Sequence, residues 1–175
     1  MSDLVLRPPT LDDEREAYAA SAELAADGFQ FILADGDWAS QLEQFRREAV
    51  GDVPADRVPC DFLVAVVDGT IVGRASVRHE LNDWLLHWGG HIGYGVRPQF
   101  RRRGYATEIL RQSLARLHEL GVERALVTCD DDNVGSFRTI ERCGGVLEDV
   151  VPGPDDSPTL KRRYWVPTVP TVPAA

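Results

Sequence analysis

The chain has 175 residues, 43% hydrophobic and 27% charged, which suits one domain with a full core and excludes a disordered or membrane-embedded composition. A formal charge of −9 argues against a general nucleic-acid binder, and no stretch approaches the roughly 18 apolar residues that span a bilayer. Three cysteines without CxxC spacing, and a start with no cationic segment before an apolar run, predict a cytoplasmic protein with no disulfide framework and no metal site.

Leu4, Val5, Leu6 and Arg7 alternate and stop at Pro8 and Pro9, as a short edge strand does. Thr10 and Asp13 resemble a capping box, and residues 11–26 are rich in helix formers. A second helix is predicted over 38–50, with Trp38, Leu42 and Phe45 at helical spacing, and a loop over 51–59. The runs 62–67 and 70–77 flank Asp68 and Gly69, a hairpin signal. Residues 82–90 break the pattern with Trp84, Leu85, Leu86 and Trp88, and 91–96 reads as a strand. Ala106, Ile109, Leu110, Leu114 and Leu117 form one stripe of a helix capped at Gly121. A strand over 125–129, a short helix over 133–143 closed by Gly144 and Gly145, and a last strand over 160–166 complete the set. The strand–helix–strand unit between His91 and Cys129 predicts a parallel pair in a mixed α/β sheet. Residues 1–166 read as one domain and 167–175, with two Thr-Val-Pro repeats, as a flexible Pro-rich tail.

Charge is uneven along the chain. Between Arg97 and Arg116 lie six arginines and one acid, Glu108, a local balance of +5 that leaves −14 on the rest. Such an island asks for an anion, although a solvated helix start is the plainer reading. Its centre is Arg101, Arg102, Arg103, Gly104, Tyr105 and Ala106, between a strand and a helix. A helix start presents unpaired N–H groups and partial positive charge, a ready pyrophosphate site. Gly104 would admit the phosphate close to the backbone, and small Ala106 would keep the first turn open. Neither GxxxxGK[ST] nor GxGxxG is present.

This turn resembles the acyl-CoA motif Gln/Arg-x-x-Gly-x-Gly/Ala of the GNAT superfamily of N-acetyltransferases, with Arg101, Gly104 and Ala106 as the matching positions. The strand before it, from His91 to Val96, looks like that family's fourth strand. Asn133, Ser136, Ile140, Gly144 and Gly145 are similar to the family's second motif, in the right order and at the right separation. The resemblance covers roughly residues 4–166. It implies a mixed, mostly antiparallel sheet of about six or seven strands, splayed between the fourth and fifth, with helices on both faces. It also implies acetyl-CoA in the splay, with the backbone of Tyr94, Gly95 and Val96 pairing with the pantetheine arm. The amides of residues 101–106 would then hold the pyrophosphate, and Asn133 and Ser136 would bond further along the cofactor. As a residue in its own right, Asn133 also suits a plain helix N-cap.

Ile140 stands where relatives carry the tyrosine that protonates the leaving thiolate, and isoleucine donates no proton. Attack by an amine needs a base. Glu80 and His91 are the candidates, with His79, Asp83 and His87 behind them. Cys129 reads as a buried, inert thiol. The aromatic loop 84–88 would line an acceptor pocket, pack on a second copy in a homodimer, or simply fill the core. The expected function is acetyl transfer to a primary amine of a small molecule or peptide by direct attack in a ternary complex. A non-catalytic acyl-CoA sensor is the alternative that Ile140 motivates. Acylation of aminoacyl-tRNA or ribosomal protein is a narrower reading, against which the acidic balance speaks, and acyl groups other than acetyl stay open.

Overall fold

The computed structural model of the chain describes residues 3–169. Strand β1 (Val5–Arg7) ends at the two prolines, which have no N–H to offer a neighbour. The Asp13 carboxylate accepts from the Thr10 N–H at 2.7 Å and also binds Arg7, so the capping box fixes the turn Leu11–Asp13 ahead of helix α1 (Glu14–Ala25). Helix α2 (Trp38–Ala49) is N-capped by Asp37, whose carboxylate accepts from the Ser40 N–H at 2.9 Å. Strands β2 (Cys60–Val67) and β3 (Thr70–Arg78) form the predicted hairpin. Asp68 and Gly69 both have positive φ, 48° and 76°, as a type I′ turn requires.

Then follow a wide helical turn (Leu85–Gly89), β4 (Ile92–Val96), α3 (Tyr105–Glu119), β5 (Arg124–Asp130), α4 (Val134–Arg142), β6 (Val146–Val151) and β7 (Lys161–Pro167). Strand β6 lies outside the sequence-based expectation. It is a largely exposed sheet edge whose acidic Asp149 pairs with Arg163 of β7 at 2.6 Å, and charge of this kind keeps an edge soluble while masking its pattern. The last strand also runs further than expected. It includes Pro167, and Thr168 beyond it is buried, its hydroxyl donating to the Val122 carbonyl at 2.7 Å. The rest of the expected tail, residues 170–175, lies outside the described residues.

The strands form two antiparallel sheets, β1-β2-β3-β4 and β5-β7-β6. The parallel pair expected from the strand–helix–strand unit does not form a ladder: β4 and β5 abut without pairing, which is the splay between the fourth and fifth strands that the resemblance implies. They are stitched at one end, where the His91 N–H donates to the Leu126 carbonyl at 2.7 Å and the Leu126 N–H donates to His91 Nδ1 at 2.9 Å. Gly90 makes this approach possible, because a Cβ there would stand 2.6 Å from the Leu126 oxygen. The Thr128 hydroxyl adds a bond to the Trp88 carbonyl at 2.6 Å. Past that stitch no backbone hydrogen bond joins the two strands, and a cleft opens between the sheets.

Strand alternation divides the interior in two. Leu63, Ala65, Ala75, Val77, Ile92 and Val96 face α3, with Ile109, Leu110 and Leu117 packed on them. Phe62, Val64 and Ile71 face the other way, against Ala17, Leu24, Trp38 and Phe45 of α1 and α2. Each such leucine or isoleucine contributes about 1.5–3 kcal/mol by leaving water. The sheet is thus held from both sides, and the cleft is the one place where its strands part.

Candidate functional site

The cleft begins at the start of α3. Gly104 is the helix N-cap at φ 83°, and no side chain caps the helix. The first bond of the helix is the Glu108 N–H to the Gly104 carbonyl, which leaves the amides of Tyr105, Ala106 and Thr107 without a partner. A Cβ at Gly104 would meet nothing within 4 Å, so the loop is open on that side. Arg102 also adopts a left-handed backbone, φ 64°.

The arginine island separates into two groups. Arg97 is buried and bonds Glu16 and Glu23 at 3.0 and 2.7 Å. Arg101 bonds the Val96 carbonyl and the Asp27 carboxylate, Arg111 bonds Glu108, and Arg116 bonds Asp61. Only Arg102 and Arg103 are exposed with no carboxylate partner, and Arg103 rests over the Phe100 ring while donating to the Gln99 carbonyl. Four of the six arginines hold the fold together, and two remain to meet an anion beside the uncapped helix.

Along the cleft, β4 exposes its second edge. The end bonds, Arg78 N–H to the His91 carbonyl and Arg97 N–H to the Val72 carbonyl, set the alternation of the β3–β4 ladder. By that alternation Gly93 and Gly95 bond β3, while the backbone groups of Ile92, Tyr94 and Val96 point into the cleft. The Tyr94 side chain crosses toward α4, its hydroxyl 3.1 Å from Ser136 Oγ. Burial holds this phenol above its ordinary pKa, so it stays protonated. Asn133 is the N-cap of α4 and accepts from the Ser136 N–H at 3.1 Å. Ile140 is fully buried in the core, away from any role at the cleft surface. Burial pushes the Cys129 thiol up to about 11, which leaves it a poor nucleophile at neutral pH.

The opposite face of β4 bears only Gly93 and Gly95, and larger groups from elsewhere cover them. A Cβ at Gly95 would collide with the Phe29 ring at 2.6 Å. At Gly93 it would lie 3.5 Å from Arg78 Nη2 and 3.9 Å from Arg74 Nη1. Arg74 and Arg78 escaped the sequence reading. Their signal was there, since Arg74, Ser76 and Arg78, at every second position of a largely apolar strand, must share one face. A cavity of about 460 Å³ opens on this face, and its lining includes Ser76, Arg78, Glu48, Phe62, Trp84 and Leu85. That volume lies within the range of small-molecule sites, about 300–1,000 Å³. A separate cavity of about 320 Å³ lies beneath Pro8, Leu42 and Phe45 and shares no residue with the cleft.

The proposed bases are dispersed. His91 is buried, with its pKa lowered to about 4, first by burial and then by Arg78. Its Nδ1 accepts a backbone N–H, so the neutral ring carries its proton on Nε2 and has no free lone pair. In this arrangement His91 is a latch between the sheets. Glu80 is exposed just past β3 and makes no hydrogen bond or ion pair among the described residues. His79 Nε2 lies 3.1 Å from Asp61 Oδ1 without hydrogen-bond geometry, and His87 Nδ1 meets the Asp83 carbonyl at 2.7 Å. In the aromatic loop, Trp84 and Leu85 line the cavity, while Trp88 reaches away to the Pro152 carbonyl.

Among the described residues no helix is long and apolar enough to cross a membrane. Residues 3–146 match the family model described as acetyltransferase (GNAT) domain. The fold is similar to that of yncA from Salmonella typhimurium, solved with acetyl-CoA, with TM-score 0.66, 14% identity and 98% of each chain covered. It is also similar to Mycobacterium smegmatis RimJ in complex with CoA-disulfide, with TM-score 0.71, 19% identity, and 94% of this chain and 81% of that one covered. A chimera of the spermidine N-acetyltransferase SpeG from Vibrio cholerae and hSSAT gives TM-score 0.66 at 16% identity, covering 95% and 96%.

Proposed function

The chain belongs to the GNAT acetyltransferase family, and we propose that it moves an acetyl group from acetyl-CoA to a primary amine of a small molecule or peptide within a ternary complex. The observation that carries this reading is the uncapped start of α3 at the mouth of a cleft between two sheets, beside the carboxylate-free Arg102 and Arg103. The residues present suit the group: open space at Gly104, three unpartnered amides and two cations without a carboxylate partner are what a diphosphate needs. The ligands named for yncA and RimJ support the same reading.

Acetyl-CoA, when bound, supplies a thioester whose C–S bond breaks as the N–C bond forms, so one proton leaves the amine and one reaches the departing sulfur. The amides of residues 104–107, with Arg102 and Arg103, hold the pyrophosphate. Arg101 shapes the turn by clamping the Val96 carbonyl. Tyr94 offers its backbone groups and Val96 its N–H to the pantetheine arm, and Ser136 orients the Tyr94 hydroxyl, with Asn133 fixing the α4 end. Tyr94 is the proton donor this cleft offers in place of Ile140. Glu80, free and exposed, is the base. Three unbridged cysteines support a reducing compartment, the cytoplasm.

The burial of Ile140 and the occupied Nδ1 of His91 favour one second reading, an acyl-CoA sensor without turnover. Calorimetric titration with acetyl-CoA, followed by free-thiol release with a panel of amines, separates the two. No binding rejects both. Binding without thiol release from any amine leaves the sensor. Tyr94→Phe is expected to lower turnover by about 100-fold, the low end for acid–base groups, while leaving acetyl-CoA affinity within a few-fold.

A further inference from the structure

On the α1–α2 face of the sheet a buried cation, Arg74, and a partly buried one, Arg78, meet without an anion. Arg74 and Arg78 project from the same side of β3, and their guanidinium groups converge above Gly93. Arg74 spends its donors on main-chain oxygens of Phe31, Gln30 and Gly93. Arg78 spends Nη1 on the Gly89 and Gly90 carbonyls, at 3.0 and 3.1 Å. Neither forms an ion pair among the described residues, whereas Arg97, Arg101, Arg116, Arg162 and Arg163 each do. The buried carboxylate in the cavity wall, Glu48, is already held by Arg57 at 3.1 Å and Gln44 at 2.9 Å.

Like charges brought together away from water repel strongly, and a fold keeps such a pair when something else neutralises it. Arg78 also has an unused edge. With Nη1 engaged, Nε and Nη2 have no acceptor, and together they form the two-donor edge that a carboxylate spans. Arg78, which lines the cavity, also reaches over Gly93 of β4, so this one side chain links the cavity to the strand that borders the cleft.

We propose that the acceptor amine carries a carboxylate, an amino acid or a compound of that size, and that Arg78, backed by Arg74, binds this carboxylate in the 460 Å³ cavity. The inference rests on the amine-acetylating reading above and narrows its acceptor. The acid end is held at Arg78, Trp84 and Leu85 give the carbon chain an apolar wall, and the amine is left to face the cleft. A polyamine such as the spermidine named for the SpeG chimera would bring further positive charge to this pair of cations, and is disfavoured.

The test compares an amino acid, its carboxamide and spermidine as acceptors in the thiol-release assay. Beside it, calorimetric titration of the N-acetylated amino acid and its amide, without acetyl-CoA, reads the site independently of turnover. The free acid should exceed its amide by about 10- to 100-fold in kcat/KM, the value of a charged hydrogen bond, and only the acid product should bind. Arg78→Met should erase the preference through KM while acetyl-CoA affinity stays unchanged, which also reports that the variant is folded. Arg78→Lys, keeping the charge without the fork, should retain part of it. Equal or better use of the amide or spermidine overturns the proposal, and so does better use of an aminoalkyl phosphonate. A uniform loss of kcat with all acceptors in Arg78→Met overturns it too, moving Arg78 to the reacting carbonyl. If acetyl-CoA binds and no amine is acetylated, the acetyl-transfer reading fails by itself. The titration then still judges the arginines: binding of the acid product that is lost in Arg78→Met supports an anion site, and no binding rejects it.

Discussion

Replacing Gly104 separates the backbone of the α3 turn from its charge. The residue sits at φ 83° with open space around its missing side chain, so a substitution meets no packing clash and only conformational strain. Forcing an ordinary side chain into the left-handed region costs about 1–2 kcal/mol. If that cost falls wholly on the competent form of the loop, Gly104→Ala weakens acetyl-CoA binding by roughly 5- to 30-fold. Gly104→Glu adds a carboxylate beside the diphosphate, a repulsion between about 1 kcal/mol in water and about 4 kcal/mol in a protein-like medium for charges 4 Å apart. Its combined loss is on the order of 30-fold to more than 10,000-fold. Asparagine tolerates the left-handed region, so Gly104→Asn should stay near the parent. Calorimetric titration of all three variants gives the ranking. If Gly104→Glu binds acetyl-CoA within threefold of the parent, the diphosphate does not sit on this turn.

Two further outcomes concern stability. His91 is held near 4 against an ordinary 6.5, so between those values the unfolded chain takes up a proton that the folded chain refuses. The contribution is complete above pH 6.5 and is lost as pH falls toward 4, on the order of 3 kcal/mol in all. Urea unfolding at pH 7, 5.5 and 4 should show this loss, and His91→Gln should remove that part of the slope; identical slopes would refute it. Arg97→Met strands Glu16 and Glu23, half-exposed as they are, and should cost about 3 kcal/mol, near the low end for breaking a buried pair. A thermal scan should then show a midpoint lower by roughly 6–12 °C, and an unchanged midpoint would mean that the pair is idle.

Much of the fold was legible where local chemistry decides it. Asp68 and Gly69 specify their turn through backbone preference alone, Thr10 and Asp13 their cap, and the stripe from Ala106 to Leu117 its helix. The break between β4 and β5 was not readable from spacing, because strand–helix–strand order specifies a neighbour and leaves the ladder undetermined. What holds the two strands together at one end, and so fixes where they part, is a contact 35 residues apart in sequence, the His91–Leu126 latch beside Gly90. The site shows the same divide. Turn geometry pointed to the 101–106 loop, but which arginines are already engaged depends on carboxylates distant in sequence, such as Glu23 for Arg97, Asp27 for Arg101 and Asp61 for Arg116. His91 looked like a base because its type titrates near neutrality; its environment, one backbone N–H and a buried position, removes that ability.

The division of the sheet also bears on how the chain assembles. Every ladder partner of the first sheet lies between residues 5 and 96, and every partner of the second between 124 and 167. During synthesis at about 5–20 residues per second, the first sheet has all its strands several seconds before the second has any complete pair. Neither sheet waits for a strand from the other, so the slow search for distant partners is confined within each half. The cleft is then a seam between two successively finished pieces, joined at one end by the histidine latch and the neighbouring Thr128–Trp88 bond.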